Sequence, residues 1–203
     1  MLESYVEREF NELKAAYNTS AVIKQADLTF TNKKFFQNFK KNLNTDRRGE
    51  VVFLVERKNG KKIVIKSGKY PRGIYRIPSG GIGFEEKAID ALSREMKEEL
   101  GINFTIQSFL GLVEYKINYK DEALKFYSYL FLLKEVSGNL IEDATEDEIT
   151  EYLEADDERL IQIGDKMREI KGGWYDWCQF RSQAIYFYKD YLKELYQCQK
   201  RKK

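Results

Sequence analysis

The stretch from Gly80 to Ile102, GGIGFEEKAIDALSREMKEELGI, decides how this chain reads. Gly80, Gly81 and Gly83 predict a loop over Ser79–Phe84 whose backbone can approach a ligand closely, because glycine has no Cβ to keep it away. A helix is expected from about Glu85 to Leu100, closed by Gly101 where a left-handed C-cap is favoured. On that helix Glu95, Glu98 and Glu99 stand at i, i+3 and i+4 and share one arc of about 100°. Ala88 and Ala91 are the small residues on that face, and Ile89, Leu92, Met96 and Leu100 form the apolar stripe beside it that docks the helix on a sheet. Three like charges at this spacing repel one another. A hard divalent cation such as Mg²⁺, which prefers oxygen ligands, would offset that repulsion. Taken alone, the acidic face reads more readily as a charged helix surface in water. No Gly-Lys-Ser/Thr follows the glycines, so this is not a P-loop.

Gly80, five residues, Glu86, seven residues and then Arg94-Glu95-Met96-Lys97-Glu98-Glu99-Leu100-Gly101-Ile102 resembles the signature of the Nudix hydrolase family. That signature is G-x5-E-x7-R-E-U-x-E-E-x-G-U, with U a bulky aliphatic residue, and every specified position matches. A chance match is on the order of one in 10⁹ per starting position. The resemblance implies a mixed α/β (α+β) fold, an α/β/α sandwich around a mixed sheet. It also implies hydrolysis of the diphosphate linkage of a nucleoside diphosphate attached to another group (nucleotide sugar, ADP-ribose or dinucleoside polyphosphate), with Mg²⁺ or sometimes Mn²⁺ as cofactor. Carried over by position, Glu95, Glu98, Glu99 and the backbone carbonyl of Ser79 would hold the metal, and Arg94 would orient its acidic neighbours, including Glu86. Such metals bridge phosphate oxygens and lower the pKa of the attacking water. The general base is a carboxylate of the helix or of a later loop. Glu146, Asp147 and Glu148 are the loop candidates, and Glu148 is preferred because it precedes Ile149 at the entrance to the last strand. Gly80 and Gly81 lie against the substrate in this reading, and Arg76, with Lys66, Lys69 and Arg72 nearby, is the expected phosphate contact. Glu85 and Ser79 depart from the family's usual glycines, which bears on loop geometry and substrate fit.

Outward from this stretch, Leu2, Val6, Phe10 and Leu13 give residues 1–17 the spacing of an amphipathic helix packed on the core. A strand is expected near Ala21–Phe30 and a helix over Asn32–Leu43. Val51–Val55 and Ile63–Ile65 flank Asn59-Gly60, which predicts a hairpin with a type I′ turn. Tyr75–Pro78, Phe104–Glu114, Phe126–Glu135 and Glu151–Glu154 read as strands, Glu142–Glu148 as loop and Tyr175–Tyr196 as a long aromatic helix. The expected organisation is an extension over 1–46, a Nudix-like domain over 47–160 and a C-terminal helical segment over 161–203.

The 203 residues include no histidine, which excludes a Ser-His-Asp triad and imidazole-ligated zinc. Cys178 and Cys198 form no C-x-x-C pair and read as free thiols. No apolar run is long enough to span a bilayer and the first residues lack a signal-peptide pattern, so a cytoplasmic location is expected. Residues 1–78 carry 17 Lys+Arg against 8 Asp+Glu, residues 79–160 carry 8 against 20, and residues 161–203 carry 10 against 5. An acidic centre between basic flanks suits a metal site bordered by phosphate-binding groups, and also an ordinary mixed surface. The expected partner is a small nucleotide, with no membrane and little support for nucleic acid. The aromatics of the last helix suggest core packing or a homodimer contact. Tyr119 stands where diadenosine polyphosphate hydrolases tend to carry a tyrosine, but reads more readily as an aromatic in a strand or at a hairpin edge. A nucleotide sensor without turnover is the alternative function, and trimming of RNA 5′ ends is a third.

Overall fold

The computed structural model describes residues 2–141 and 149–201. In chain order the elements are α1 (Ser4–Tyr17), β1 (Val22–Thr29), α2 (Lys33–Thr45), β2 (Gly49–Glu56), β3 (Lys62–Ser67), β4 (Ser79–Ile82), α3 (Ala88–Glu95), which continues as a π-helical turn over Met96–Leu100, β5 (Asn103–Tyr119), β6 (Glu122–Ser137), β7 (Ile149–Ala155), α4 (Asp157–Glu169) and α5 (Tyr175–Arg201). All seven strands join one mixed sheet in the order β1-β5-β6-β2-β3-β7, with β4 paired to β2. β1 runs parallel to β5 and β2 parallel to β6, while β5 and β6 form a long antiparallel hairpin.

Alternation along the central strands divides the interior into two layers, because successive side chains leave a strand on opposite faces. Val51, Phe53 and Val55 of β2 join Tyr129 and Phe131 of β6 beneath α1 and α3. Val52 and Leu54 join Leu130 and Leu132 beneath α2, α4 and α5. The expected sandwich of a mixed sheet between helices is therefore present. The first helix seals its layer with Val6, Phe10 and Leu13. Phe180, Phe187 and Tyr188 of α5 are buried in the other layer, and Trp177 and Tyr191 pack against it partly exposed.

Several expectations change in detail. The turn at Asn59-Gly60 forms, with Gly60 N–H donating to Arg57 O at 2.9 Å and Arg57 N–H to Lys61 O at 2.8 Å. Only Gly60 has positive φ, at 82°, so the turn is a type I turn with a glycine bulge rather than type I′. β2 and β3 then diverge after one pair, Glu56 with Lys62, since β2 continues with β4 and β6 and β3 with β7. The glycine loop is largely strand, with Val51 paired to Gly80 and Val52 to Ser79, whereas Tyr75–Pro78 contributes only a bridge from Arg76 to Ile65. A helix over 157–169 was not expected, although Leu160, Ile163 and Met167 have helical spacing and the Asp156 carboxylate caps it by accepting from Arg159 N–H at 2.8 Å. Tyr119, at the end of β5, stacks on Phe36 with ring centres 5.1 Å apart, as an aromatic at a hairpin edge would.

Gly111 of β5 has φ +145° and faces β1, where a Cβ would stand 2.0 Å from Val22 O. Gly111→Ala is expected to cost at least about 2 kcal/mol by forcing β1 off β5, and Gly173→Ala, where a Cβ meets nothing within 4 Å, to stay within about 0.5 kcal/mol. Urea denaturation of the two variants checks this; equal midpoints would contradict the packing.

Candidate active site

Glu86, Glu95, Glu98 and Glu99 line one cavity of about 540 Å³, together with Arg76, Arg94, Arg181 and the backbone of Ser79–Gly81. Its geometry begins at the turn before α3. In a continuous helix Glu86 and Arg94 would lie about 12 Å apart along the axis. The helix instead starts at Ala88, later than expected, and the turn at Gly83 and Glu86 brings the Glu86 carboxylate back to the arginine. Glu86 accepts from Arg94 Nε and Nη2, both at 2.9 Å, and from Gly83 N–H at 3.0 Å. Arg94 also donates to Glu95 at 2.6 Å, to Glu98 at 3.0 Å and to Gly81 O at 2.8 Å. These bonds raise the Arg94 pKa further above its ordinary value, with the Glu86 hydrogen bond the largest favourable cause against partial burial.

Glu99 takes a different partner. Over Met96–Leu100 the helix widens, Gly101 N–H donating to Met96 O five residues back at 2.9 Å, and Gly101 adopts the expected left-handed cap at φ 67°. Glu98 lies on the exposed side of this turn and Glu99 on the buried side. Glu99 accepts from Arg76 Nη2 at 2.9 Å, and its carbonyl accepts from Tyr152 Oη on β7 at 2.8 Å. Burial, aided by the Glu99 charge, keeps the Tyr152 phenol above its ordinary pKa.

Arg76, expected to face a phosphate, is only 5% exposed. Its guanidinium donates to Tyr70 Oη at 3.0 Å, to Ser79 Oγ at 3.0 Å and, at 3.3 Å, to the carbonyls of Ile77 and Ser79. That arrangement ties Arg76 to Glu99 and Ser79. The cavity also contains Arg181, which the sequence reading passed over because it sits in α5, 102 residues from Ser79. Its Nη1 donates to Ser79 Oγ at 2.8 Å and to the buried Glu50 carboxylate at 2.7 Å. Arg47 is another cavity residue, its guanidinium near Gly81.

Gly80 is required by the acidic face. A Cβ there would stand 2.2 Å from Glu95 Oε2 and closer still to the carboxyl carbon. The N-terminal helix also reaches this region. Glu9 accepts from Arg48 Nη2 at 2.8 and 3.0 Å and from Ala88 N–H at 2.7 Å, so α1 supplies the cap of α3. Arg48 in turn donates to Glu86 O at 2.7 Å. The carboxylates of Glu95 and Glu98 thus meet at one arginine while Glu99 is held by another, and among the described residues no three acidic side chains converge closely enough to enclose an ion in this conformation. Glu148, with Glu146 and Asp147, lies outside the described residues.

A family model for the NUDIX domain matches residues 43–178. The chain is 36% identical over 70 residues to the 8-oxo-dGTP diphosphatase of Buchnera aphidicola subsp. Acyrthosiphon pisum, covering 34% of this chain and 55% of that protein. It is 38% identical over 53 residues to the RNA pyrophosphohydrolase of Ruthia magnifica subsp. Calyptogena magnifica, covering 26% and 30%. The matches thus span about half or less of the length of these curated relatives. Among solved structures, a NUDIX hydrolase from Nitrosomonas europaea superposes with a TM-score of 0.48 at 18% identity, over 71% of this chain and 90% of the other.

The hydrogen bonds from Arg94, aided by Gly83 N–H and opposed by partial burial, hold the Glu86 carboxyl below its ordinary pKa. Its stabilising contribution is complete above the unfolded value of about 4.3 and is lost as pH falls from there through the folded value. Denaturant unfolding between pH 7 and 3 is expected to show this loss in the wild type and a flatter profile in Glu86→Gln. An unchanged profile would place the acid sensitivity elsewhere.

Proposed function

Because this chain belongs to the NUDIX domain family, we propose that it is a Mg²⁺-dependent hydrolase that cleaves the diphosphate linkage of a nucleoside diphosphate joined to another group. The observation that carries this reading is the placement of Glu86, Glu95, Glu98 and Glu99 over one cavity, each within hydrogen-bonding distance of an arginine. The names of the two curated relatives, a diphosphatase and a pyrophosphohydrolase, support the same reaction class.

The donor set fits a hard divalent cation: its side-chain donors are all carboxylate oxygens, and Gly80, where a Cβ would collide with Glu95, lets that carboxylate lie directly against β4. Glu95, Glu98, Glu99 and the Ser79 carbonyl would hold the ion. Bound there, Mg²⁺ or Mn²⁺ neutralises phosphate charge and lowers the pKa of a coordinated water. The protein's own residues provide the rest. Arg94 fixes the spacing of Glu86, Glu95 and Glu98, and Arg76 holds Glu99 against the cavity wall while orienting Ser79. Arg47 and Arg181 take the part of phosphate contacts, since both guanidiniums line the cavity and Arg181 is held in place by Glu50. Glu148, immediately before the first residue of β7, is the proposed proton acceptor from water.

Glu98 is exposed, so Glu98→Gln is expected to leave the melting temperature unchanged and to lower kcat by at least about 10²-fold. Chromatographic separation of the products formed from ADP-ribose, nucleotide sugars, diadenosine polyphosphates, nucleoside triphosphates and 5′-triphosphorylated RNA checks this. The same assay after chelation of divalent cations should show no turnover. A nucleotide that raises the melting temperature with no hydrolysis by the wild type would favour the sensor instead.

A further inference from the structure

Beside the carboxylate cavity lies a second, narrower cleft of about 220 Å³ between α2 and α5. Its walls are aromatic: Phe35 and Phe39 on α2, Trp177 and Phe180 on α5, and Phe126 from β6. The volume is below the roughly 300–1,000 Å³ of sites that enclose a whole drug-sized ligand, so it suits one flat ring system and not a complete nucleotide. Asn38 and Asn42, one helical turn apart on α2, line the cleft with amides that each offer donors and an acceptor. Arg47 and Arg181 line both spaces, so the two cavities meet at a pair of guanidiniums.

The frame of this cleft is fixed. The Asp176 carboxylate, buried at the start of α5, accepts from Thr31 N–H at 2.9 Å, Thr31 Oγ1 at 3.0 Å and Asn32 N–H at 2.7 Å, which pins the beginning of α2 to α5. Phe39 meets Phe126 and Phe180 edge-on, with ring centres at 5.0 and 5.3 Å. Phe35, Asn38, Phe39, Asn42, Phe180 and Arg181 all lie outside residues 43–178, so these parts of the cleft come from segments beyond the family match.

We propose that this cleft receives the heteroaromatic base of the nucleotide whose diphosphate lies over the carboxylates, an inference that rests on the hydrolase reading above. Aromatic faces stack on a base whatever its identity, and the two asparagine amides read its polar edge. The phosphate nearest the nucleoside then lies between Arg47 and Arg181, at the junction of the two cavities. An alkyl chain of similar size would fill the space but make no hydrogen bond to the amides and gain nothing from ring stacking. Asn38, Asn42 and Trp177 are therefore specificity-determining residues, acting on which nucleoside is held and not on bond cleavage.

Calorimetric titration of the Mg²⁺-loaded protein tests this, using the 5′-methylenediphosphonates of adenosine, guanosine, cytidine and uridine, methylenediphosphonate itself and its geranyl ester. At least one nucleoside analogue is expected to bind about tenfold or more tightly than methylenediphosphonate, and Trp177→Leu and Asn42→Ala to remove that advantage without changing methylenediphosphonate affinity. Asn42 is exposed, so its variant does not test folding. Nucleoside analogues that bind no better than methylenediphosphonate, a geranyl ester that matches the best of them, a preference that survives both variants, or no binding at all would overturn the proposal. A base preference lost in the variants, alongside absent turnover of the substrate panel by the wild type, would sink the hydrolase reading and leave the cleft standing.

Discussion

Everything in the site leans on one planar cation. Arg94 uses the edge formed by Nε and Nη2 for Glu86 and its Nη1 for Glu95 and Glu98, with Gly81 O accepting a further bond. This links a turn, a strand and two turns of helix through a single side chain. A lysine has one point of charge and could not hold three carboxylates in fixed relative directions. Arg76 does the same for the interior with Glu99 and Ser79. With Asp46, Arg47 and Arg181 counted as well, five carboxylates and four guanidiniums line the cavity, so nearly every charge there has an opposite charge close by.

The segments flanking the family match contribute to this arrangement as much as they shield the sheet. α1 caps α3 through Glu9, and α5 supplies Arg181. Breaking a pair as buried as Glu9 with Arg48 leaves a charge without compensation, which ties the stability of the first helix to the geometry of the site.

The acidic positions, the arginine beside them and the closing glycine were legible because they recur at fixed spacing within 23 residues, where local geometry and chemistry coincide. Most strands and helices were legible for the same reason, since apolar periodicity reports a single buried face. β4 was hidden: Ser79–Ile82 has little β-propensity, and its Gly80 is there for the approach of the Glu95 side chain, which no local pattern announces. Glu85 and Glu86 belong by composition to a helix start, and only the reach of Arg94 eight residues later explains the turn. Arg181 and Glu50 had no local signal, because the bond between them joins residues 131 apart. Arg76 lies at the expected cavity, but its bonds to Tyr70, Ser79 and Glu99 had no local signal, since alternation along a strand tells which side a residue faces but not what it will meet there.

The bond from Asp176 to Thr31 spans 145 positions, and the parallel pairing of β1 with β5 joins the first strand to one that begins at Asn103. A chain wired this way has high contact order and folds slowly compared with one built from local hairpins. During synthesis, α2 can be pinned by Asp176 only once the start of α5 has been made, so between the completion of β6 and that point the layer of Phe35, Phe39 and Phe126 lacks the cover that Phe180 gives it. The burden of that interval falls on the cell's chaperones: the same aromatic surface proposed to select a base in the finished molecule is, until α5 arrives, open to the chain's neighbours.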